Sequence, residues 1–185
     1  MHQPDGQLFM RSIRSVESIV NAIMSLVSPE LYTIGAEAVR KLKDGQYLKQ
    51  WNECNLLWKS VFSGMQIISN RVTPPHRDPK AAKTMYDILV SAGTHKDAIL
   101  YLHDIDTILH YAPCTVVAVC GRVLLHEVPD WGEGERICIA HYMRDAVHNR
   151  LGLRRPVWVS IQMYLDLMDP TFARRFREKL ENVET

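Results

Sequence analysis

The sequence predicts a mainly β protein with helices at both ends, an α+β chain whose centre is a β-sandwich, jelly roll or barrel. Three observations carry this. Short runs rich in Val, Ile, Tyr and Thr recur through the middle of the chain, and turn residues separate them. Helical spacing of apolar residues is confined to the two ends. The chain has 185 residues, 46% hydrophobic and 23% charged, enough for one packed core and unlike a disordered segment.

Residues 12–27, SIRSVESIVNAIMSLV, place Ile13, Val16, Ile19, Val20, Ile23, Leu26 and Val27 at three- and four-residue steps, which predicts an amphipathic helix. Ser28-Pro29 opens a second helical stretch with proline at its first position, where the missing N–H costs nothing. It runs to about Leu42 and ends near Asp44-Gly45; Arg40, Lys41 and Lys43 suit the negative end of its dipole. From Leu56 the texture changes. LLWKSVFSGMQIISN, YDILVSAGTH, AILYLHDIDTILHYA, TVVAVCGRVLLHEV and RICIAHYM are short apolar or alternating runs. Ser63-Gly64, Thr73-Pro74-Pro75, Gly93, Tyr111-Ala112-Pro113, Cys120-Gly121 and Trp131-Gly132-Glu133-Gly134 punctuate them. The tail from Pro156 returns to helical character, split at Asp169-Pro170. The expected division is a helical flank over 1–54, a β domain over 55–164 and a C-terminal helix over 165–185.

Several function classes are disfavoured. No run approaches the roughly eighteen apolar residues of a membrane span, so no membrane partner is expected. The N-terminus, MHQPDGQLFMRSIRS, lacks the apolar core of a signal peptide, which points to an intracellular protein. Cys54, Cys114, Cys120 and Cys138 form no C-x-x-C pair, so they read as reduced, mostly buried thiols and not as a zinc knuckle. With 22 basic and 21 acidic side chains the net charge is +1, which argues against nucleic-acid binding by bulk charge. The middle, 76–150, holds eight basic and ten acidic residues; the flanks offer Arg40, Lys41, Lys43, Arg154, Arg155, Arg174, Arg175 and Arg177 to a phosphate backbone.

The chemistry sits among the histidines of the β section. In His76-Arg77-Asp78, positions i and i+2 of an extended segment face the same side, so one imidazole and one carboxylate can meet one metal ion. Pro74 and Pro75 keep the approach stiff and non-helical. His126, fifty residues on, would complete a two-histidine, one-carboxylate facial triad of the kind that binds non-haem Fe(II) with open positions. A second His-x-Asp, His95-Lys96-Asp97, reads as a loop histidine at a hairpin turn, and His103, His110 and His148 read as structural. Arg136 lies ten residues past His126 and could hold a carboxylate through a two-pronged salt bridge. Strict alternation puts Cys138, Ala140, Tyr142 and Arg144 on the side of Arg136, and sends Ile137, Ile139 and His141 away from it. The plain alternative for Arg136 is a surface charge paired with Glu133 or Glu135.

With these residues in place, SNRVTPPHRD, YDILVSAGTH and GRVLLHEVPDWGEGERICIAHYMRDAVHNRL together resemble the oxygenase domain of the TET/J-binding-protein (TET/JBP) family of Fe(II)/2-oxoglutarate-dependent dioxygenases, in particular its fungal, transposon-associated members. The resemblance runs from about Asn55 to Tyr164. It implies a double-stranded β-helix, which is a jelly roll. It implies Fe(2+) on His76, Asp78 and His126, 2-oxoglutarate with Arg136 on its distal carboxylate and Arg71 as a second contact, and O2 as the oxidant. No catalytic residue beyond the metal centre is implied. The implied substrate is methylated DNA, with 5-methylcytosine first and N6-methyladenine second, the base flipped into a pocket where Tyr142 and Arg144 meet it. That substrate implies a nuclear, monomeric enzyme. The alternatives are a 2-oxoglutarate dioxygenase acting on a protein side chain or small molecule, and an inactive binding domain. The chain departs from the family pattern at Cys114, where relatives carry glycine, at Arg144, where histidine is usual, and at Ala81, where some relatives have a polar side chain.

Overall fold

The computed structural model describes residues 4–44, 57–169, 171, 175 and 178. Helices α1 (Pro4–Ser12), α2 (Arg14–Val27) and α3 (Pro29–Asp44) come first. Strands β1 (Gly64–Ser69), β2 (Thr73–His76), β3 (Asp87–Gly93), β4 (Ile99–Leu102), β5 (Thr107–His110), β6 (Val116–Val119), β7 (His126–Val128) and β8 (Arg136–Tyr142) follow, with a 3-10 turn over His103–Ile105. Helices α4 (Asp145–Arg150) and α5 (Ile161–Met168) come after them. Two compact units emerge, Met1–Val61 with Leu151–Thr185, and Phe62–Arg150.

In the first unit, α2 and α3 lie where the spacing predicts them, and Pro29 opens α3 because proline keeps Ser28 out of the helical region. The buried face of α2 differs from the expected stripe. Ile13, Glu17, Val20 and Met24 are buried, whereas Ile19 and Leu26 are exposed. Ile13 and Val20 of the expected stripe do face inward, but the inward row also takes in Glu17 and Met24. α1 was not expected; Pro4 at its start, Asp5 in its first turn and Arg11 in its last all match the helix dipole. Ile34 and Ala38 of α3 pack with Leu153 and Leu151. The helical tail begins only at Ile161, where the Ser160 hydroxyl caps the Met163 N–H at 3.4 Å; this helix ends at Met168, and Thr171, Arg175 and Glu178 beyond Asp169 are helical again. Gly45, Cys54, Pro170, Arg174 and Arg177 lie outside the described residues.

The second unit holds two antiparallel four-stranded sheets, ordered β1-β8-β3-β6 and β2-β7-β4-β5. Every neighbour in them comes from a distant part of the chain except β4 and β5. This interleaving is the jelly roll, or double-stranded β-helix, and it settles which of the three β architectures the sequence forms. Ala98, Leu100, Leu102, Tyr111 and Val128 pack with Val119, Leu89 and Val117, so apolar residues of both sheets share one core. Burial alternates along β4, as one covered face requires, but β3, flanked by β8 and β6, is buried through most of its length. Gly93 ends β3 at a φ of 114°, and a Cβ there would collide with the Glu135 carbonyl. This close approach seats Gly93 opposite Arg136.

Candidate active site

β2 is an edge strand, which is where a sheet tolerates proline. Pro74 and Pro75 have no N–H to donate, and the β2–β7 ladder slips between Thr73 and His76. The slip sets His76 directly opposite His126, with ring centroids 4.2 Å apart. Asp78 follows two residues on, its N–H held by the Gly121 carbonyl at 2.9 Å. Its carboxylate lies 3.9 Å from His76 Nε2 and 3.8 Å from His126 Nε2. One donor atom from each of the three residues falls within 4.8 Å of the others.

Both rings are fixed in the same tautomer. His76 Nδ1 donates to the Pro74 carbonyl and His126 Nδ1 to the Leu124 carbonyl, each at 2.9 Å. Each Nε2 is therefore left with a lone pair aimed at the shared space. Burial pushes the His126 imidazole below its ordinary pKa, and neighbouring His76 adds to this, which keeps the ring in its neutral, ligating form. Two imidazoles with Nε2 turned inward and one carboxylate on one side fit a divalent iron with coordination positions to spare.

The three donors line a cavity of about 150 Å3 that Arg136 also lines. Arg136 is 2% exposed, so it is not the surface charge of the plain alternative. Its Nη1 donates to the Arg71 carbonyl at 2.8 Å, and its guanidinium lies 6.0 Å from the Tyr111 ring centre. Its buried Nε–H has no hydrogen-bond partner among the described residues. A buried donor without a partner is costly, and an incoming carboxylate would satisfy it. Arg71 borders the cavity, and its backbone carbonyl steadies Arg136.

Alternation along β8 brings Cys138, Ala140, Tyr142 and Arg144 to the cavity. The Arg144 guanidinium lies 4.3 Å from the centre of the Tyr142 ring. Gly64 pairs with Tyr142, and any Cβ there would overlap the phenol ring. Ala81 borders the cavity as well. Cys114 holds a φ of 71°, the left-handed conformation that a glycine adopts freely. His141 also borders the cavity, contrary to expectation, although its ring packs against Phe62 at 5.7 Å and its Nδ1 donates to the Ile88 carbonyl at 3.3 Å.

The second His-x-Asp joins no metal-binding group among the described residues. His95 is buried, with Nε2 3.0 Å from the Tyr111 carbonyl and Nδ1 3.2 Å from the Glu135 carbonyl. It is a strut beneath the loop, more enclosed than a turn histidine. His103 pairs with Glu127 at 2.9 Å. Cys120 and Cys138 are buried free thiols, and burial pushes Cys120 up to about 11. Cys114 is exposed.

Asp87 went unnoticed in the sequence. It is 3% exposed and lines the cavity, with the Gly121 backbone hydrogen-bonded to its carboxyl. Burial, helped by the charge of Asp78, pushes it up to about 8, so it carries a proton at neutral pH. The available signal was one acid at the head of the apolar run DILV. Three of the eight flanking cations are engaged: Arg40 pairs with Asp44 at 3.1 Å, Lys41 with Glu37 at 3.2 Å, and Arg154 with Glu30. Among the described residues no helix is long and apolar enough to cross a membrane.

A family model described as the oxygenase domain of the 2OGFeDO superfamily, Tet_JBP, matches residues 5–145. No curated protein matches the chain. A solved structure of NgTET1 in complex with 5mC DNA is similar at 16% identity and a TM-score of 0.45, over 68% of this chain and 53% of that one. The chain thus spans about half the length of that relative. The match over residues 5–145, most of the length, shows that this chain belongs to the Tet_JBP family of oxygenase domains.

Proposed function

We propose that this protein is an Fe(II)/2-oxoglutarate-dependent dioxygenase that oxidises a methylated base in DNA, with 5-methylcytosine as the leading substrate. The observation that carries this reading is one cavity with three metal donors and a buried arginine whose Nε–H lacks a partner. His76, Asp78 and His126 would hold the iron, and Arg136 would hold the far carboxylate of 2-oxoglutarate, with Arg71 beside it. Iron and 2-oxoglutarate, when bound, supply O2 activation coupled to decarboxylation of the co-substrate to succinate.

The chain's own groups do the rest. The Nδ1 hydrogen bonds of His76 and His126 pre-orient both ligand atoms. The Tyr142 ring, with Arg144 against it, offers a flat face on which a flipped base can stack. Asp87, neutral at pH 7, can donate a hydrogen bond to a ring nitrogen or carbonyl oxygen and accept one from an exocyclic amine. With Arg40, Lys41 and Arg154 engaged in local pairs, fewer cations are left to meet phosphates and DNA affinity should be weak. A DNA substrate would place the protein in the nucleus.

The test is mass spectrometry of nucleosides after incubating the protein, Fe(II) and 2-oxoglutarate with methylated DNA. Oxidised 5-methylcytosine supports the reading. Oxidised N6-methyladenine moves the preference to the second base. Succinate formation without any altered base points to a substrate other than DNA.

A further inference from the structure

The β2–β7 ladder is interrupted just before the metal donors. Only Thr73–Val128 and His76–His126 are in register, because Pro74 and Pro75 supply no amide hydrogens. The His76–His126 pair is thus cut off from the rest of its ladder, and contacts outside the ladder add to fixing the separation of the two histidines. Arg77 stands between His76 and Asp78, and in an extended segment its side chain points away from theirs. Its Nε donates to the Val123 carbonyl at 2.9 Å and its Nη2 to Asp104 Oδ1 at 2.6 Å. The other Asp104 oxygen accepts the Leu125 N–H. The Leu125 carbonyl in turn accepts the His103 N–H at 2.9 Å. The three residues before His126 are thus gripped at Val123 O, Leu125 N and Leu125 O, and His126 itself grips Leu124 O.

We propose that Arg77 and Asp104 form a positioning latch that sets the spacing between the His76/Asp78 pair and His126. The inference rests on the reading of these three residues as a metal site. Both side chains are about half exposed, at 45% and 37%, so as an isolated surface ion pair they would contribute little. The planar guanidinium fork reaches a backbone carbonyl and a carboxylate at once, and that carboxylate reaches the opposite strand. The pair therefore acts through geometry. Lysine, with a single point donor, cannot span both acceptors.

Cobalt(II) titration of the metal-free full chain tests this, read by ligand-field absorption and by dissociation constant. His76→Ala serves as the control for the metal reading. Arg77→Ala and Asp104→Ala are each expected to weaken cobalt binding by about tenfold to a hundredfold and to shift the absorption bands. The double variant is expected to lose no more than the worse single one, because the two residues act as one unit. Arg77→Lys should recover part of the loss. Wild-type affinity and spectrum in either alanine variant overturn the latch, as does a fully additive double variant. If the alanine variants melt before titration, Arg77→Lys alone decides: an unaltered spectrum and affinity overturn the latch. A wild-type chain that takes up no cobalt, or a His76→Ala chain that binds as wild type does, overturns the metal reading itself.

Discussion

Asn70 grips the main chain of Arg136 from both sides. Its N–H donates to the Arg136 carbonyl and its Oδ1 accepts the Arg136 N–H, both at 2.8 Å. Its Nδ2 reaches Glu135. Asn70 does this from the left-handed region, at a φ of 47°. Asn70→Ala loses the side-chain bond and adds backbone strain of about 1–2 kcal/mol. Asn70→Gly relieves the strain but does not restore the bond. Both should weaken 2-oxoglutarate binding between about twofold and tenfold, the range of a lost hydrogen bond, while only the alanine variant loses marked stability. Arg136→Ala should raise the 2-oxoglutarate requirement far more. Calorimetric titration with 2-oxoglutarate and thermal melting of each variant separate these effects.

His76→Ala and Asp78→Ala should each abolish succinate formation from 2-oxoglutarate, since each removes one of three donors lying within 4.8 Å. A succinate assay on purified variants checks it. Turnover retained in either would move the metal site elsewhere.

Asp87 makes stability depend on pH in a defined direction. Its carboxyl titrates at about 8 in the folded chain against an ordinary value of 3.8. Between those values the folded state holds more protons than the unfolded one, so stability falls as pH rises from about 4 to about 8. The slope is at most about 1.4 kcal/mol per pH unit. Asp87→Asn removes the titrating group and should flatten this dependence and stabilise the chain near neutrality. Urea midpoints of metal-free protein across that pH range measure it; equal slopes in both proteins would assign the dependence to another group.

Gly64 exists in the space beneath Tyr142. Gly64→Ala would drive its Cβ into the phenol ring, so Tyr142 and the Arg144 guanidinium stacked on it must shift together. The expected result is a several-fold higher KM for DNA, with 2-oxoglutarate affinity unaltered because Arg136 lies at the other end of β8. A fall in both affinities would show that the whole strand had moved.

How far the sequence reveals this protein depends on the range of the interactions involved. Alternation in ILYL and RICIAHY marks β4 and β8, and the same alternation puts Arg136, Cys138 and Ala140 on one side. His76, Asp78 and His126 are legible because a metal demands particular side chains. Asp87 is not, because a lone acid in a strand reads as solvent-facing until its neighbours are seen to enclose it. α2 follows hydrophobic periodicity at Ile13 and Val20 but buries Glu17 and exposes Ile19, which periodicity does not foresee. The Arg77–Asp104 latch joins residues 27 apart through a turn whose geometry no local pattern encodes.

The histidine donors lie on β2 and β7 in one sheet, and Arg136 lies on β8 in the other. A ligand held at both ends therefore bridges two sheets whose neighbours are almost all distant in sequence. Such pairings form late, since loop closure must be paid before the contacts exist. A half-folded jelly roll offers the ligand no complete seat, so binding draws the population toward the closed state alone. If metal and co-substrate bind as proposed, their loading reports completed folding, and a variant that folds slowly would be recognised first by its slow acquisition of both.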